Sequence, residues 1–200
     1  MKTLIIGTKN PAKIKQIAGA IKSLGLNVVG LPDFIEDIVE NGLTAQENAQ
    51  IKATTYSRNL EDVVLSMDNA LYLDGLIDAK QPGIHVRRIY GKGTRPTDDE
   101  LLKYYTSTIN DLGDKINGRW KFAICVASNG SIIKETTIIS PRIFTSIPSK
   151  RIVSGYPLES IQIDPESGKY ISDMTQEEQD VFWQKKIGCE LCAFLRPIIV

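Results

Sequence analysis

The opening of the chain restricts the fold most. Thr3 to Gly7 is a short β-branched apolar run, and it stops at Thr8-Lys9-Asn10-Pro11. A proline has no N–H for a strand ladder, but it suits the first position of a helix, where that N–H would lack a partner anyway. Asn10 before it is a good helix cap. From Pro11 onward Ile14, Ile17, Ala18, Ile21 and Leu24 recur at helical spacing and form one apolar stripe. The chain therefore opens as strand, turn, helix.

The same signals continue downstream. A second strand is predicted at Asn27 to Gly30, followed by a loop rich in acids. A helix follows over Thr44 to Arg58, with Thr44 as its cap and Glu47 at capping-box spacing. Val63 to Met67 reads as a buried strand ending at Asp68, and Leu71 to Leu73 continues it or begins a hairpin. Asp78 to Thr97 reads as a structured loop and Asp98 to Asn110 as a helix. Trp120 to Ala127 and Ile132 to Ser140 flank Ser128-Asn129-Gly130 and predict an antiparallel hairpin. Pro141 to Tyr170 is irregular with strand fragments, and Thr175 to Phe194 is helical with an interruption at Gly188. Strands and helices that alternate first and give way to a hairpin predict an α/β protein with a mixed sheet.

Composition narrows the function. Among 200 residues, 24 Lys and Arg balance 24 Asp and Glu, so the formal net charge is zero. A protein built to coat nucleic acid normally carries a basic excess, so no nucleic-acid partner is expected. No stretch approaches the ~20 apolar residues a membrane helix needs, and the first apolar run is too short for a secretory signal. No membrane partner and a cytoplasmic location are expected. Cys125, Cys189 and Cys192 form no paired CxxC motifs and read as reduced thiols.

Three segments could carry chemistry. The turn Thr8-Lys9-Asn10-Pro11-Ala12-Lys13 puts free backbone N–H groups, two hydrogen-bonding side chains and two lysines at a helix start, a combination suited to phosphate. It equally describes a capped helix with surface lysines, and it lacks the spacing of a Walker loop. Glu36, Asp37, Glu40 and Glu47 precede or open the second helix, and Asp68 follows a buried strand. Asp68 with Glu40 would satisfy magnesium, which takes one or two carboxylates and keeps water and phosphate oxygens for the rest. The other reading has Asp68 starting a turn with Asn69 and the glutamates solvated. Lys52 matters only if its helix faces the same site. His85 lies in a loop and reads as incidental, and Trp120 and Trp183 read as packing residues or as platforms for a base.

Together these segments resemble the inosine triphosphate pyrophosphatase family. Its strand–TxN–helix opening with a lysine is matched by Thr8, Asn10 and Lys13. Its E-x-G-x-T…ENAxxKA block is matched by Glu40-Asn41-Gly42-Leu43-Thr44 and by Glu47-Asn48-Ala49-Gln50-Ile51-Lys52-Ala53. Its DDSGL strand is represented by Met67-Asp68-Asn69-Ala70-Leu71, and its PGxxSxR…G segment by Pro82-Gly83-Ile84-His85-Val86-Arg87-Arg88 with Gly91 beyond. Order and spacing agree through about residue 130. The resemblance implies hydrolysis of a nucleoside triphosphate to the monophosphate and pyrophosphate. It makes Asp68 a metal ligand and general base, and Glu40 a second ligand for Mg2+ or Mn2+. Thr8, Lys9, Asn10, Lys13, Lys52, Asn69 and Arg88 become phosphate or substrate contacts.

The resemblance also implies a homodimer. The expected fold is an elongated mixed sheet flanked by helices, two lobes with a central cleft, the whole of 1–200 serving as one pyrophosphatase-like domain. The second half departs from the pattern. The family's FGYDP loop is reduced to Gly155-Tyr156-Pro157-Leu158, and its C-terminal lysine and serine-histidine-arginine appear as Gln179 and Trp183-Gln184-Lys185. The base-binding positions would then be Gly155, Tyr156, Gln184 and Lys185. With Met67 in place of the family's first acid, two rival readings stand: the same chemistry on a different base, and a nucleotide sensor without catalysis.

Overall fold

The computed structural model describes residues 2–91 and 94–199. Strand β1 (Thr3–Ile6) pairs in parallel with β2 (Asn27–Val29) on one side and with β3 (Val63–Leu73) on the other. Strand β1 therefore lies inside the sheet, and Leu4 and Ile6, two residues apart on one of its faces, are each 1% exposed. The hairpin β4 (Lys115–Ser128) and β5 (Ser131–Thr145) and the short β6 (Gln162–Ile163) complete a six-stranded sheet in the order β2-β1-β3-β4-β5-β6. Because β6 runs antiparallel to β5, the sheet is mixed, as predicted.

The caps at Asn10 and Thr44 fall where the sequence puts them. Helix α1 (Pro11–Ala20) starts with Ala12 N–H donating to Asn10 Oδ1 at 3.0 Å. It ends earlier than the stripe suggests, tightening into a 3-10 turn over Lys22–Leu24 that stops at Gly25 in a left-handed conformation. Helix α2 (Ala45–Leu60) is capped by Thr44 Oγ1, which accepts from Glu47 N–H at 3.1 Å. The Glu47 carboxylate reaches Leu43 N–H at 2.6 Å, one residue outside the usual capping-box partner. Helix α3 (Asp98–Asp111) has the full box between Thr97 and Glu100. The hairpin turn is Asn129-Gly130, with φ of 49° and 79°, the left-handed pair that matches strand twist.

Two predictions need correction. β3 does not stop at Met67; it runs on through Asp68 to Leu73, so Asp68 sits in mid-strand. A carboxylate is tolerated there because buried donors face it, as described below. The hairpin strands are also longer than predicted, because polar residues at Lys115 to Arg119 and the proline at 141 hide their ends from the apolar pattern. Near the C-terminus, α4 (Gln176–Trp183) and α5 (Cys189–Ile199) are joined by a π-helical turn over Gln184–Gly188. Gly188 is where this turn meets α1: a Cβ there would lie 2.3 Å from the Ala20 carbonyl oxygen.

The chain divides into two compact units. One comprises Met1–Asn69, Lys121–Ser140 and Glu178–Val200, and the other Ala70–Trp120 and Pro141–Glu177. In the first, Leu31, Ile35, Tyr56 and Val64 pack together and anchor the loop before α2. In the second, Leu71, Leu73, Leu101, Tyr105, Phe144 and Ile161 form the core. Among the described residues no helix is long and apolar enough to cross a membrane.

Candidate active site

The first unit places four charged side chains in one neighbourhood. The Lys52 ammonium donates to Asp68 Oδ1 at 3.1 Å, to Glu40 Oε2 at 3.3 Å and to the Met67 carbonyl at 3.4 Å. Lys52 is 6% exposed and Asp68 9%, whereas the Glu40 side chain is 39% exposed and so opens the cluster to solvent. Lys13, one turn into α1, is the second cation. Burial pushes its ammonium below the ordinary lysine range, and Lys52 adds to that, while Asp68 and Glu40 pull it back. Two lysines and two carboxylates therefore share a partly dehydrated site, where charges act more strongly than in water.

Asn48 holds this arrangement together, and the sequence reading did not single it out. Its Nδ2 donates to Asp68 Oδ2 at 3.2 Å, and its Oδ1 accepts from Gly42 N–H at 2.9 Å. It lies one helical turn before Lys52, so both project from the same face of α2. One amide thus orients Asp68 and ties down the loop that carries Glu40. Gly42 must be glycine, because a Cβ would stand 2.7 Å from Asn48 Oδ1. On the other side of Glu40, Ile38 N–H donates to the Tyr56 hydroxyl at 3.4 Å. That spacing in the Glu47–Ala53 block was the only signal that could have marked Asn48.

The turn before α1 is set close to β3. A Cβ at Gly7 would lie 2.1 Å from Ser66 Oγ, and Gly30 approaches the Thr8 carbonyl, which accepts from Leu31 N–H at 3.1 Å. Thr8 Oγ1 accepts from Asn10 N–H at 3.1 Å, and Asn10 Oδ1 caps the helix. Both side chains keep their donors, the Thr8 hydroxyl hydrogen and the Asn10 amide hydrogens. Lys9 is turned to the surface and donates to the Asp33 carbonyl at 3.3 Å. Asn69, next to Asp68, has its side-chain oxygen buried without a hydrogen-bond partner.

Among the described residues no group of three or more His, Cys, Asp and Glu gathers around one point. The Asp68–Glu40 pair nonetheless fits a hard divalent cation. Both are oxygen ligands, and a positive group, the Lys52 ammonium, already lies against each. Met67, 4% exposed, faces away from Asp68, because successive strand side chains point to opposite faces. An acid at position 67 would not stand beside the Asp68 carboxylate.

The remaining sequence-predicted residues lie elsewhere. Gln184 and Lys185 are exposed on the π-helical turn of the first unit. Gly155 and Tyr156 form a turn in the second unit, and Arg88 is exposed there. Arg87, its neighbour, is the arginine that engages the turn: it donates to the Gly155 carbonyl and pairs with Asp98 at 3.4 Å. Trp183 packs edge-on against Phe122 and Phe182, and Trp120 Nε1–H donates to Gln162 Oε1 at 2.9 Å, so both tryptophans have packing roles.

The mixed sheet, the glycine-set turn at a helix start and the lysine–carboxylate centre define an α/β protein with a charged, partly buried site. The Ham1 family profile matches residues 4–186, and the chain belongs to that family. It is 28% identical over 184 residues to a dITP/XTP pyrophosphatase of Bacillus cereus, covering 90% of this chain and 87% of that one. The figures for the dITP/XTP pyrophosphatase of Geobacillus kaustophilus are 28% over 187 residues, with 90% and 87% covered. The fold matches a HAM1 protein from Coxiella burnetii with a TM-score of 0.74 at 18% identity, over 98% of this chain and 100% of the other.

Proposed function

We propose that this chain is a nucleoside-triphosphate pyrophosphohydrolase that releases pyrophosphate and leaves a nucleoside monophosphate, with non-standard purine triphosphates as its substrates. The observation that carries the reading is the centre formed by Lys52, Asp68, Glu40 and Lys13 in the same unit as the Thr8–Lys13 turn. Lys13, Lys52 and the donors of Thr8 and Asn10 neutralise and hold the triphosphate, with Lys9, Asn69 and Arg88 as further contacts. Asp68, held by Asn48, takes the proton of the water that attacks phosphorus. Glu40 and Asp68 would hold Mg2+ or Mn2+, whose chemistry here is to neutralise charge on the phosphate oxygens. The names of the relatives support inosine and xanthosine bases. Gly155, Tyr156, Gln184 and Lys185 occupy the family's base-binding positions. Membership of the family also supports a cytoplasmic homodimer that acts on free nucleotides.

The test is pyrophosphate release across inosine, xanthosine, adenosine, guanosine and pyrimidine triphosphates, with and without magnesium. The expected result is magnesium-dependent release of one pyrophosphate per monophosphate. Orthophosphate as the sole product would overturn the reaction. Tight nucleotide binding without turnover would make the protein a sensor.

A further inference from the structure

Gly155 has a φ of 79°, and nothing lies within 4 Å of where its Cβ would be. Glycine is needed there for backbone conformation and not for room. Here both polar groups of the residue are tied. Its N–H donates to Asp98 Oδ2 at 2.6 Å, and its carbonyl accepts from Arg87 Nη2. Arg87 Nη1 and Asp98 Oδ1, 3.4 Å apart, close the ring. The turn closes on itself where Tyr156 N–H donates to the Val153 carbonyl at 2.8 Å, and these two partners, 57 and 68 residues away, add a hold from outside it. Asp98 is not needed as a cap, because Thr97 and Glu100 already cap α3. The Arg87 and Asp98 side chains are 35% and 31% exposed, where an ion pair by itself contributes little. What the pair does is fix a backbone.

We propose that Arg87 and Asp98 are positioning residues for nucleobase selection, holding the Gly155–Tyr156 turn in one conformation and so setting which base edge it accepts. The inference rests on the reading above that this turn meets the base. A turn free to rotate its peptides can satisfy several bases in turn. A held one leaves a mismatched base with unpaired polar groups, which is how sites reject analogues.

The experiment compares the full-length protein with Arg87→Ala, Asp98→Ala, Asp98→Asn and Tyr156→Ala, each checked for fold by near-ultraviolet circular dichroism. Two quantities are read: kcat/KM for inosine, xanthosine, adenosine and guanosine triphosphates, and competitive inhibition by inorganic tripolyphosphate, which has no base. Arg87→Ala and Asp98→Ala are expected to compress selectivity between bases by about tenfold, in the range one lost hydrogen-bonded orientation carries. The rise should fall in KM, with kcat and tripolyphosphate inhibition unchanged. Asp98→Asn keeps an acceptor for Gly155 N–H and should fall between; it also serves if the alanine variant does not fold. An equal loss for every nucleotide and for tripolyphosphate would overturn the proposal, because that pattern marks a merely structural role. Unchanged selectivity in the Arg87 and Asp98 variants, with selectivity altered in Tyr156→Ala, overturns the clamp and leaves the base-reading turn standing. Selectivity unchanged in all of them removes the base-reading assignment, and the clamp with it.

Discussion

Both oxygens of the Asp68 carboxylate meet donors from α2, Lys52 Nζ on one and Asn48 Nδ2 on the other. That geometry accounts for a charged residue in mid-strand: a buried carboxylate persists only when it is paired and hydrogen-bonded. Replacing Asp68 with Asn keeps the shape and the contact with Asn48 but removes the charge. We expect turnover to be abolished with the fold intact, measured as pyrophosphate release alongside circular dichroism. A variant that kept most of its activity would remove Asp68 from the role of base. Lys13 differs, because it neither pairs at hydrogen-bond distance with the acids nor caps a helix; its burial beside Lys52 makes its charge costly to hold until an anion arrives. Lys13→Ala is expected to weaken triphosphate binding by about 1–3 kcal/mol, the value of a charge-assisted bond. The check is KM over the accepted nucleotides, and an unchanged value refutes the contact.

Among the elements, the π-helical turn between α4 and α5 has no slack. Gly188 lets it touch the end of α1, and a methyl group there would meet backbone, which cannot swing away as a side chain can. Gly188→Ala should cost about 1–3 kcal/mol, as overpacking does, read as a lower urea midpoint; an unchanged midpoint would show that the turn yields. The 3-10 helix Pro157–Ile161 that follows the Gly155 turn carries Glu159. Burial pushes its carboxyl up to about 7, against the pull of Arg151 and Arg142 toward lower values. The folded pKa therefore lies above the ordinary 4.5, and the folded protein keeps a proton that the unfolded chain has released. Stability from this group is full below about 4.5 and is lost as pH rises to about 7. Glu159→Gln, neutral throughout, should lose that slope. Urea unfolding of both proteins across this pH range decides it, and parallel pH profiles would count against a shifted Glu159.

For the whole molecule, the positions matched to the family's base-binding residues depart furthest from its sequence pattern. Lys185 cannot form the planar fork of an arginine, and Gln184 offers donors different from those of a histidine. We expect the preference for inosine and xanthosine triphosphates over ATP and GTP to be weaker than the family norm, or shifted to another base, measured as kcat/KM at one magnesium concentration. Exclusive selection of inosine and xanthosine would show that other residues read the base. Met67 lies on the other face of β3 from Asp68, so an acid at that position would not stand beside the Asp68 carboxylate.

The sequence by itself determined the strand–turn–helix opening, the caps at Asn10 and Thr44, and the Asn129-Gly130 hairpin turn. Each of these is set by groups within a few residues of one another, so the local chemistry of proline, asparagine, threonine and glycine suffices. The motif spacing also marked Lys52, Glu40 and Asp68, and the folded chain brings both carboxylates within hydrogen-bond reach of the Lys52 ammonium. Tertiary structure alone decided that β3 runs on through Asp68, that Asn48 joins Asp68 to the Glu40 loop, and that Arg87 and not Arg88 holds Gly155. The partners that decide these lie up to 68 residues away along the chain. Periodicity and capping sum over neighbours within a turn or two. A buried carboxylate or a left-handed glycine is stabilised by whichever donor the packing delivers, and that donor leaves no pattern around the residue it serves.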